Sequence, residues 1–118
     1  MLRAQRDFRL RLINQASIAL AGMRERLLAG THPDEIVRAA RAAQAELLGK
    51  DAAMLTMLDP ASAAHVLGDK QLVAMWAELL RLEADAHRLA GRDTEARALE
   101  ERASVLIQKA EGGKQKAE

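Results

Sequence analysis

Two side chains whose types could do chemistry stand four residues apart, Glu83 and His87. At about 100° per residue an i, i+4 pair shares one face of a helix, so carboxylate and imidazole would be neighbours. Together they are common metal ligands and a common acid–base couple. The same pair, hydrogen-bonded inside a helical hairpin, would instead set the register of its packing, and this second reading is favoured. Metal-holding bundles draw Glu-x-x-His from two helices, whereas the spacing here is Glu-x-x-x-His with no second copy. A catalytic role would also need a cleft and partner groups, which no flanking motif supplies. The expectation is that no residue is catalytic, cofactor-binding or metal-ligating.

The other chemistry-bearing residues are weaker candidates. His32 precedes Pro33 and reads as a turn residue, and His65 has no acid at helical spacing closer than Asp69. The chain has no cysteine, which excludes disulfides, thiolate catalysis and thiolate-bound zinc. Its glycines are isolated and mostly end helices, so no phosphate-cradling loop is present. Ser17, Ser62 and Ser104 lack any activating neighbour. Arg3, Arg6, Arg9 and Arg11 make a possible basic patch in a first segment that carries few acids. Nucleic acid would need them on one face with stacking aromatics, but on a helical wheel they scatter, so a solvated or interface role is favoured. The formal net charge of +1 implies no polyanion partner by itself.

These residues must be positioned by helices. Ala, Leu, Arg and Glu are abundant, while there is one Phe, one Trp and no Tyr, a composition poor in strand formers. The fold class is all-α. The 118 residues suit a single domain over 1–112 with a frayed polar tail at 113–118. No apolar run approaches the roughly 20 residues of a membrane span. The Arg-rich start is vaguely similar to an organellar transit peptide, but it reads as an integral core helix without a cleavage site, and cytoplasmic is the default location.

A first helix is expected over about 3–28, with Phe8, Leu12, Ala16, Ala19, Met23 and Leu27 on its buried face. Ala29-Gly30 ends it, and Pro33-Asp34-Glu35 opens a second helix with Ile36, Ala39, Ala40, Ala43 and Leu47 as its stripe. Between 51 and 67 two short helices are expected, started by Asp51 and by Asp59-Pro60. Asp69 caps a long helix whose seam is Leu72, Met75, Leu79, Leu82, Ala86 and Leu89, widened by Val73, Trp76 and Leu80. Ala90-Gly91 turns the chain into a last helix carrying Ala96, Leu99, Ala103, Leu106 and Ala110, and Gly112-Gly113 stops it. The result is two long antiparallel hairpins, 3–48 and 69–111, joined by short connector helices.

Both hairpins turn at Ala-Gly, and Ile36, Ala39, Ala43 and Leu47 correspond to Ala96, Leu99, Ala103 and Ile107 at a constant offset. This is a degenerate internal repeat of the kind that builds solenoids. Around Gly91 the sequence resembles a tetratricopeptide repeat (TPR), with Ala84, Ala96 and Ala103 at that motif's small positions. Glu83, His87 and Glu100 depart from it, standing where the motif has large apolar residues. The chain also resembles, nearly end to end, a bacterial family of short TPR-like all-helical proteins. The matching pieces are Asp7-Phe8, Leu10 to Gln15, Glu46 to Gly49 and Ala77 to Leu80. That resemblance implies a fold and no activity.

The fifth segment is apolar over half its circumference, and Leu10, Ile18 and Leu28 fall off the main face of the first. Apolar excess of this kind marks partner surfaces. The function expected is a non-enzymatic helical interaction or scaffold module, with an unidentified protein partner and a homodimeric state. Its candidate surface is Val73, Trp76, Leu80, Glu83, His87, Leu10 and Ile18. Two alternatives stand behind it: a nucleic-acid-binding adaptor using the first helix, and a metal-dependent enzyme using Glu83 and His87.

Overall fold

The computed structural model describes the backbone of residues 2–116 and the side chains of 4–112. Among these the chain is all-α: α1 (Leu2–Leu28), α2 (Pro33–Leu48), α3 (Ala52–Met57), α4 (Pro60–Leu67), α5 (Lys70–Leu89) and α6 (Asp93–Lys116). A single 3-10 turn, Gly49–Asp51, joins α2 to α3. No helix among the described residues is long and apolar enough to cross a membrane.

The helix starts follow local chemistry. His32 accepts the Asp34 N–H through Nδ1 at 3.1 Å, making the turn histidine the N-cap of α2 with Pro33 behind it. Asp59 accepts from Ser62 N at 3.0 Å, and Asp69 from Gln71 N and Leu72 N at 2.9 and 3.0 Å. Asp51, expected to cap α3, makes no side-chain cap bond, because the 3-10 turn runs directly into that helix. Gly91 has φ of 81°, a conformation that costs an L-residue with a Cβ, and it lets α5 and α6 meet across a short turn.

The most extensive interhelical contact is α5 with α6; α5 also packs on α2 and α1. Pairings on either side of the α5–α6 turn run in opposite directions: Arg88 reaches Glu100, while farther from the turn Arg102 lies over Trp76. Likewise Asp34 meets Arg92 while Arg41 and Gln44 meet Glu83, so α2 and α5 run antiparallel. The core is Leu- and Ala-rich, with Trp76, Ile36, Leu55, Leu79 and Leu106 the largest fully buried side chains. Ala40, Ala77, Ala86 and Ala103 are buried among them, and their small size permits close helix approach.

Besides the Asp51 cap, three further sequence expectations fail for identifiable reasons. Phe8 is exposed rather than buried. With 27 residues α1 runs for about 40 Å, against about 24 Å for the 16 of α2. Leu12 already stands opposite Leu47 near the end of α2, so Phe8 lies beyond its partner. Leu89 is exposed too, being the last residue of α5 as the chain turns away. The glycines 112 and 113 do not stop α6, which continues to Lys116. Glycine weakens a helix interior without forbidding it, and the terminating signal is a positive φ, whereas the backbone here stays helical through both. The end of the expected tail, residues 117 and 118, lies outside the described residues.

Candidate functional site

Glu83 and His87 both point inward from α5, with 3% and 6% of their surface exposed. A buried carboxylate is costly unless compensated, and this one is met from α2. Arg41 donates from Nε to Glu83 Oε2 at 3.0 Å, and Gln44 donates from Nε2 to Oε1 at 2.8 Å. His87 Nε2 lies 3.7 Å from Glu83 Oε2, an electrostatic neighbour outside hydrogen-bond range. On its other side His87 Nδ1 accepts from Arg92 Nε at 2.8 Å. Because arginine only donates, the neutral ring carries its proton on Nε2, facing Glu83. Arg92 then donates to Asp34 Oδ1 at 2.6 Å, which holds the Asp34 carboxyl below its ordinary value of 3.8.

The result is a chain of polar and charged groups, Asp34–Arg92–His87–Glu83–Arg41 with Gln44 alongside, running from the start of α2 through α5 and back to the middle of α2. Two carboxylates and two guanidiniums balance, and no buried side-chain polar atom among the described residues lacks a partner. Both oxygens of Glu83 and the Nδ1 of His87 are occupied by protein donors. Among the described residues no group of three His, Cys, Asp or Glu is placed to hold a metal ion. What this arrangement does chemically is act as a polar strut: it ties α2 to α5 at a fixed register and fastens the α5–α6 turn to both.

The third departure from the repeat motif has a different explanation. Glu100 forms a two-pronged ion pair with Arg88 on the outside of the α5–α6 turn, at 2.5 and 2.6 Å. That pair lowers the Glu100 carboxyl and raises the Arg88 guanidinium.

Beside the strut lies an open groove of about 620 Å³. Its floor is α5, at Trp76, Leu80 and Glu83; α2 and α6 form its walls, and α3 closes one end. The two wall helices flank α5 without touching each other among the described residues. Arg102 of α6 sits with its guanidinium 5.2 Å from the Trp76 ring centre, a cation–π distance. It also donates to the Leu55 and Leu58 carbonyls, both at 2.9 Å, supplying the end of α3 with donors that the short helix lacks. Burial lowers Arg102, and the charge of Asp59 only partly opposes that.

The expected interaction surface separates into two sets. Val73, Trp76, Leu80, Glu83 and His87 are buried by the chain itself, because α1, α2, α4 and α6 together consume the wide apolar arc of α5. Trp76, 1% exposed, is a core residue and groove floor, not a protruding anchor. Leu10 and Ile18 are exposed on α1. Of the basic residues, Arg6, Arg9 and Arg11 are exposed, and Arg9 reaches Asp69 at 3.4 Å. The side chain of Arg3 lies outside the described residues.

Sequence reasoning missed Arg41, Gln44, Arg92, Asp34 and Arg102. The available signal was that Arg41 and Gln44 sit three apart on α2 beside its buried stripe, facing a helix known to carry an inward acid. No family model, curated protein or solved structure matches the chain.

Proposed function

We propose that the chain is a non-enzymatic, TPR-like helical interaction module of the bacterial cytoplasm, and that it pairs with a second copy of itself. The observation that carries this reading is the outer face of α1. Leu10 and Leu28 fall at the same angle on the helix and Ile18 lies about 80° away, roughly opposite the buried Ala16, Leu20 and Met23. Leu10, Leu28 and Ile18 are 45%, 89% and 66% exposed; Asn14, Ser17 and Ala21 lie between them, and the exposed Glu25 is the one acid on the same arc between Ile18 and Leu28. An apolar stripe of that kind on a long helix suits burial against an identical stripe about a two-fold axis.

The strut supports the reading from the other direction. Glu83 and His87, which the sequence offered as an acid–base or metal couple, are spent on internal partners. The helical order, with α2 and α6 both against α5, accords with stacked TPR-like hairpins. The test is charge introduction on the stripe: Ile18→Asp with Leu10→Asp should halve the mass in light scattering and leave the helical circular dichroism unchanged. A mass that does not respond would refute the surface.

A further inference from the structure

Beyond a partner surface, we infer that the groove between α2, α5 and α6 binds a small amphiphile: an apolar chain bearing one carboxylate. At about 620 Å³ it lies within the range of roughly 300–1,000 Å³ typical of small-molecule sites, and such sites are apolar with a few placed polar groups. Leu48 and Leu99 supply apolar walls, Ala52 lies at the closed end, and Leu80 adjoins Trp76 on the floor.

Charge selects the acidic head. Three ionised side chains line the groove, Arg41, Arg102 and Glu83. The Glu83 carboxylate is already satisfied by Arg41 Nε and by Gln44. Arg41 has 65% of its side chain exposed, and only its Nε is engaged among the described residues, so its two terminal nitrogens are open to a second acceptor. Arg102 is half-buried and has no carboxylate within 4.0 Å among the described residues; its partners are two neutral carbonyls and an aromatic face. The groove thus carries one positive charge in excess, part of it in a desolvated setting where a carboxylate is the complementary group. A cationic amphiphile of the same length would meet that charge repulsively.

Trp76 is the single tryptophan, so its emission reports directly on the floor of the groove. Decanoate, titrated below its micellar concentration, is expected to change that emission saturably at one per chain, with decylammonium at least tenfold weaker. Arg41→Gln should weaken decanoate about tenfold. Ala53→Phe, an exposed position at the closed end, should abolish binding while leaving the circular dichroism intact, which separates a filled groove from a lost fold. Equal binding of the two amphiphiles, no saturable change, or an unaffected Ala53→Phe variant would overturn the inference. So would Ala53→Phe converting a dimer into a monomer, since a second copy would then be the occupant. The α1 stripe is tested separately, so either surface can fail alone.

Discussion

Arg41→Met and Glu83→Gln remove opposite ends of one ion pair, and the structure predicts unequal losses. Arg41→Met leaves the Glu83 carboxylate, whose side chain is 4% exposed, with Gln44 as its one hydrogen-bond donor. Removing one partner of a buried pair costs about 3–5 kcal/mol. The upper end is out of reach because Arg41 is 65% exposed, so solvent already screens its half of the pair, and Gln44 persists; about 2–3 kcal/mol remains. Glu83→Gln removes the buried charge itself, keeps the shape, and returns Arg41 to water, which costs about 1 kcal/mol. At this chain length a kcal/mol moves the melting temperature by about 4 °C, so the two variants should separate by about 4–8 °C. Urea unfolding followed by Trp76 emission and by circular dichroism measures both. The double variant should lie close to Glu83→Gln alone, because Arg41 has nothing left to compensate. Single losses that simply add, or a larger loss for Glu83→Gln, would refute the strut. Stability lost on adding a chelator would point instead to a metal.

Acid should weaken the fold through three surface carboxylates. Asp34, Asp59 and Glu100 are held below their ordinary values by Arg92, Ser62 and Arg88 respectively. A lowered folded value gives stability that is complete above the unfolded value and lost as pH falls, beginning below 4.5 for Glu100 and 3.8 for the aspartates. Asp85, raised by burial, opposes them, since its protonation relieves a penalty. Melting temperature should therefore fall through this window, and less steeply in Asp34→Asn; a profile unchanged by that substitution contradicts the Arg92 link. Glycine predicts a contrast of sign. Gly91→Ala forces a Cβ into the left-handed region and should cost about 1–2 kcal/mol, whereas Gly112→Ala, inside α6 with open space around it, should gain about 0.5–1 kcal/mol. Thermal melts of both decide it.

What was legible in the sequence was whatever is local. Pro33, Asp59-Pro60, Asp69 and Gly91 mark helix ends within a few residues of the features they create, and the three-and-four spacing of Leu72, Met75, Leu79 and Leu82 marks the core-facing side. Glu83 and His87 could be placed on one face for the same reason. Their partners could not. Arg41 and Gln44 are about forty residues from Glu83, and Asp34 is 58 from Arg92, separations that leave no periodic trace. Periodicity also says nothing about where a neighbouring helix stops, which is why Phe8 looked buried. The apolar width of α5 suggested an outside partner; four of the chain's own helices fill that role, and half of the exposed large apolar residues lie on α1 instead.

The most direct test of the interaction-module reading is the solution mass of the whole chain, by light scattering across a concentration series, beside the Leu10→Asp/Ile18→Asp variant. The account predicts twice 12.9 kDa for the parent and 12.9 kDa for the variant, with equal helical content. A parent that stays at 12.9 kDa at every concentration would contradict it.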